Sequence, residues 1–97
     1  MKSVFIAYDQ AHHEHVIDVL ERGNLKGYTR FEQVQGRGTK TGDPHLGSHA
    51  WPTMNSAIIT MVEDEAVPNL LERLHQVDVD NEMLGLRAFV WNIEQSI

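Results

Sequence analysis

Four β-rich segments separated by two amphipathic stripes of helical period leave a chain of 97 residues little choice of fold. Lys2 to Asp9 reads as a strand, with Val4, Phe5, Ile6, Ala7 and Tyr8 rich in β-formers. A helix follows from Asp9 or Gln10 to about Arg22, because His13, Val16, Ile17 and Leu20 repeat at i, i+3, i+4 and i+7. Gly23-Asn24 supplies its stop, since either residue tolerates a left-handed cap. Tyr28 to Val34 and Ser56 to Val62 are the second and third strands. Asp64 can cap a second helix running to about Gln76, with Val67, Leu70, Leu71 and Leu74 on its apolar stripe. Pro68 must then lie in its first turn, where a missing N–H does least harm. Leu86 to Ile93 closes the order as strand four. The arrangement β-α-β-β-α-β predicts an α+β, ferredoxin-like sandwich, with two helices on one face of an antiparallel sheet and a single domain over 1–97.

A sheet with one face in water should alternate apolar with polar residues. Strand four does not: Leu86, Ala88 and Val90 lie on one side, and Phe89, Trp91 and Ile93 on the other. Strand three repeats this, with Ile59 and Met61 opposite Ile58 and Val62. Both faces call for burial, so the side without helices is expected to pack against further copies of the chain.

Other classes are disfavoured by composition. A formal net charge of −6 argues against general nucleic-acid binding, which needs a basic surface. No apolar run reaches the ~18 residues of a membrane span, and MKSVFIAYD is a strand pattern rather than a signal peptide. The absence of cysteine excludes disulfides and thiolate metal sites. A cytoplasmic protein without direct membrane insertion is expected.

Strands two and three are joined by VQGRGTKTGDPHLGSHAWP, from Val34 to Pro52. Hairpin connections usually take two to five residues, and a longer loop in a small domain is usually functional or disordered. Glycines in Gly36-Arg37-Gly38-Thr39-Lys40 would let backbone N–H groups approach an anion beside two cations. A flexible loop start with solvated charges is the alternative.

At these positions the chain resembles the PII signalling family and its PII-like relatives. The resemblance runs nearly the whole length and rests on element order and three short motifs. VQGRGTKTG is similar to the start of the family's long T-loop, here the segment 35–52. VEDEAVPNLLERL is similar to the beginning of its second helix, and AFVWNIEQSI to its final strand and trailing segment. The resemblance implies a homotrimer with ligand sites in the clefts between subunits, usually for adenine nucleotides. It also implies a T-loop that engages a target protein such as a transporter or an enzyme. Gly36, Arg37, Gly38, Lys40 and Arg87 are the residues that would hold a nucleotide-like anion. The chain departs from the family in three places. Leu84-Gly85-Leu86-Arg87 replaces a Gly-Asp-Gly-Lys, so only the cation remains. Thr39 replaces a basic residue, and the loop has no counterpart of the tyrosine that is uridylylated in nitrogen-sensing members.

Guanidinium offers a planar fork of donors for phosphate or carboxylate, so Arg87 is either part of that site or a surface partner for Glu82. A second reading of the same fold is a transition-metal-binding or metal-tolerance protein. Imidazole is a common ligand for zinc, copper and nickel, and the donors would be His45 and His49 with His12 or His15. His13, within the apolar stripe, is expected to pack in the core, and His75 to interact with a helix C-terminal dipole. Trp51-Pro52 is expected to anchor the loop base. Catalysis is not expected. There is no G-x-S-x-G elbow, and AYDQAHHE lacks the arginine and glycine of an acylphosphatase-type phosphate loop.

Overall fold

β1 (Lys2–Asp9) carries apolar side chains on both faces and so belongs at the centre of a sheet. In the computed structural model, which describes residues 1–36, 54–81 and 85–97, it lies between β3 (Asn55–Val62) and β4 (Leu86–Asn92). β2 (Tyr28–Val34) completes the sheet in the order β2-β3-β1-β4, with every neighbouring pair antiparallel. α1 (His13–Arg22) and α2 (Val67–Asp80) complete the ferredoxin-like α+β arrangement.

The core forms where helical stripes meet one sheet face. Val4, Ile6 and Tyr8 of β1 are buried there with Ile58 and Val62 of β3, Leu86 of β4, Val16 and Leu20 of α1, and Leu70 and Leu74 of α2. α2 keeps Pro68 at its N-terminus, where the missing N–H has no intrahelical role. The helix continues to Asp80, beyond the expected end near Gln76. Val77 still packs on the core, Gln76 Nε2 donates to Asp80 Oδ1 at 2.8 Å, and Asn81 Nδ2 donates to the Val77 carbonyl at 3.3 Å. Asp64 opens a short 3₁₀ turn without capping it through its side chain; its carboxylate instead meets the terminal amine at 2.8 Å.

α1 corrects one sequence expectation. Its buried side chains are Val16, Val19 and Leu20, while Ile17 is only partly buried. The buried stripe therefore extends back to His12, four residues before Val16, and not to His13. His12 closes a 3₁₀ turn, Gln10–His12, that Asp9 starts by accepting from the Ala11 N–H at 2.8 Å. The sequence contains two overlapping stripes, and the way the helix lies on the sheet selects the other one. At the far end Asn24 takes the left-handed conformation, with φ 58°, and the chain reverses into β2.

On the opposite face no described element covers the sheet. Directly paired residues of antiparallel strands share a face. Phe5 therefore lies in one row with Ile59 and Phe89, and Ser3 in the next with Met61 and Trp91. Phe31 joins from β2 through Ala57. Phe31 is 45% exposed, Met61 52%, Phe89 56% and Trp91 50%. Among the described residues of a single chain this second apolar face stands open.

Candidate ligand site at the loop end of the sheet

The long connection leaves β2 through a bulge. Phe31 pairs with Ala57 but Val34 pairs with Asn55, so β2 carries one extra residue before the chain departs. Ser56 Oγ donates to the Glu32 carbonyl at 2.6 Å and fixes the irregular stretch to β3. Gly36 comes next, pressed against Asn55. A Cβ there would meet the amide end of the Asn55 side chain, which would have to shift to admit it. Of the expected anion-binding set, Gly36 and Arg87 are described; Arg37, Gly38 and Lys40 lie outside the described residues.

Arg87 sits at the start of β4, after Gly85 in the left-handed conformation at φ 80°. Its backbone pairs with Ala7, which places it in the alternation of the open face. The guanidinium nevertheless turns around the free edge of β4 toward α2. Nη1 donates to the Leu86 carbonyl at 2.7 Å and meets Asp78 Oδ2 at 3.3 Å. Asp78 Oδ1 accepts the Leu86 N–H at 3.1 Å. Asp78 was not among the residues expected to matter. Arg87 and Asp78 border a cavity of about 180 Å³, whose apolar floor includes Leu71, Leu74 and Ala88, with His75 on the rim.

A second polar group joins α1 to the sheet. Tyr8 Oη lies 2.7 Å from His13 Nδ1, and the rings stack with centroids 6.0 Å apart. Burial pushes the Tyr8 phenol above its ordinary range, opposed by the Arg30 guanidinium. Burial pushes the His13 imidazole down, and Arg30 adds to that. A neutral ring protonated at Nε2 accepts the Tyr8 O–H at Nδ1, and the other tautomer donates from Nδ1 to Tyr8 Oη. His13, expected as a core or packing histidine, is thus half-buried and packs on Tyr8 at the border of the core. The signal in the sequence was a tyrosine and a histidine five residues apart across a strand–helix junction.

The expected metal donors do not gather among the described residues. The His12 and His15 rings stand 6.0 Å apart at 44°, but His12 is buried and its Nε2 has no hydrogen-bond partner there. No group of three histidine or carboxylate side chains suited to a metal ion occurs among the described residues. His45 and His49, together with Trp51 and Pro52, lie outside them. No described helix is long and apolar enough to cross a membrane.

The sequence model of the family described as Nitrogen regulatory protein P-II matches residues 1–97. The chain belongs to the PII family. Solved structures of PII-like proteins share its fold. One is CPII, a nitrogen regulatory PII-like protein from Thiomonas intermedia K12 bound to ADP, AMP and bicarbonate. It is 29% identical, with a TM-score of 0.76 over 95% of this chain and 84% of that one. The apo form of CPII matches at 23% identity and a TM-score of 0.67, over 95% and 89%. A PII-like signalling protein from Thermus thermophilus matches at 24% identity and a TM-score of 0.68, over 95% and 85%. No curated protein sequence matches the chain.

Proposed function

We propose that this PII family member is a cytoplasmic, non-catalytic regulator that assembles as a homotrimer through the open sheet face. It would bind a nucleotide-like anion in the clefts between subunits and report to a target protein through the 35–52 segment. The observation that carries this reading is the apolar face of Phe5, Phe31, Ile59, Met61, Phe89 and Trp91, which no described element covers. A contiguous apolar surface of that kind marks an interaction site.

Sheet order supports a ligand held between copies. Gly36 follows β2 and Arg87 starts β4, at the same end of the sheet but on opposite edges. Three strand spacings separate those edges, about 14 Å. One chain does not close both groups on a small anion, whereas a neighbouring copy can bring a β2 edge beside a β4 edge. Arg37, Gly38 and Lys40 would add donors from the loop start, and Arg87 a guanidinium from the other side. The ADP, AMP and bicarbonate in the related CPII structure make adenine nucleotides the first ligands to try. A ligand can shift the loop only by as much as its affinity differs between loop states.

The test is calorimetry with ADP. Arg87→Ala is expected to weaken binding by the ~1.5–3 kcal/mol of a hydrogen bond to a charged group. Unchanged affinity removes Arg87 from the site, and no binding by the unaltered protein ends the nucleotide reading.

A further inference from the structure

We infer that Asp78 is a positioning residue for the ligand site: its carboxylate holds the Arg87 guanidinium at the β4 edge and out of the open sheet face. The inference rests on the reading of Arg87 as an anion-binding residue.

Strand alternation alone would send the Arg87 side chain toward the face that carries Phe89 and Trp91. Two contacts pull it the other way, and both involve Nη1: the Leu86 carbonyl at 2.7 Å and Asp78 Oδ2 at 3.3 Å. Among the described residues Nε and Nη2 make no hydrogen bond. Guanidinium presents five N–H donors in a fixed fork. Clamping one nitrogen therefore orients the other two without consuming them, and the Nε–Nη2 edge is the geometry that receives two oxygens of a phosphate or carboxylate.

Asp78 is itself held. Its other oxygen accepts the Leu86 N–H at 3.1 Å, and the residue sits in the last turns of α2 with a side chain only 21% exposed. Helix, strand start and guanidinium are thus tied through one carboxylate. Arg87 is 47% exposed, so one of its edges stays open to a ligand. The carboxylate also lowers the net positive charge at the site. An isolated cation would attract any anion, whereas the paired one favours a ligand that can use the oriented edge.

The experiment compares ADP binding to the unaltered protein, Asp78→Asn, Arg87→Ala and the double variant. Asparagine keeps an acceptor for the Leu86 N–H, so the start of β4 remains tied to α2. Asp78→Asn is expected to weaken ADP binding about tenfold when Arg87 is present and by less than about twofold in the Arg87→Ala background. In ¹⁵N–¹H spectra the Arg87 Nε–H signal is expected to be distinct in the unaltered protein and averaged in Asp78→Asn. Equal weakening in both backgrounds, or an undisturbed Nε–H signal, overturns the positioning role while leaving Arg87 in the site. Loss of affinity in Arg87→Ala with none in Asp78→Asn does the same. If Arg87→Ala binds ADP as the unaltered protein does, or if the unaltered protein does not bind it, the reading on which the inference rests fails too.

Discussion

His12 carries an imidazole into a place where protonation is penalised. Burial pushes its pKa below the ordinary value; His15 acts in the same direction, and the Asp9 and Asp78 carboxylates oppose it. The unfolded chain keeps an ordinary imidazole pKa near ~6.5. Below that pH the unfolded state therefore binds more protons than the folded one, and stability falls as pH drops until the lower folded-state pKa is reached. Above it both states are neutral and His12 contributes no pH dependence. His13, also pushed down, adds in the same direction. Urea unfolding at stepped pH is expected to show declining stability on acidification below ~6.5 and a shallower decline in His12→Gln. A decline of equal steepness in that variant assigns the effect to other groups. At this scale the sequence was only half legible. Arg87 could be singled out by its place at the beginning of a strand, but Asp78 could not, because nothing in VDVDNE marks which carboxylate turns back to β4.

The elements were legible almost to the residue wherever hydrophobic period decided them. β1 and β2 match their expected spans, and β3 and β4 differ by one residue each. Period failed in the helices, where tertiary packing chooses among near-equivalent stripes. Val19, not Ile17, is buried in α1, and α2 runs on because Val77 still finds core. That extension matters for the proposed site: a helix ending at Gln76 would leave Asp78 in a loop without a fixed direction. Asn24 shows the same interplay of local chemistry and topology. Its left-handed φ of 58° turns α1 toward β2, and a β-branched residue there meets its own backbone. Asn24→Val is expected to cost roughly 1–2 kcal/mol in urea unfolding, and Asn24→Gly to be near neutral. Equal stability of the two variants would remove the backbone argument.

For the whole molecule, the most informative pattern was an excess of apolar residues over what two helices can cover. Strands three and four showed it in sequence, and the open face of the sheet bears it out for one chain. The ligand site was less legible, since Gly36 and Arg87 are 51 residues apart in the chain and the copies that would join them leave no local mark in it. Assembly through this face makes a direct prediction. Phe89→Glu/Trp91→Glu places two carboxylates on it, and buried unpaired charge is strongly unfavourable. Sedimentation is expected to show oligomers for the unaltered protein and single subunits for the double variant, with sheet and helix circular dichroism retained. A well-folded single subunit before any substitution would sink the trimer and its cleft together.

The position of β1 also bears on how the molecule is made. Among the described residues β1 pairs with β3 and β4, and both follow it by many residues in the chain. Its Val4, Phe5, Ile6 and Tyr8 therefore stay unpaired until those later strands have been made. Nascent-chain occupancy by a holdase, or the pace of translation between β1 and β4, is consequently expected to change the yield of folded protein.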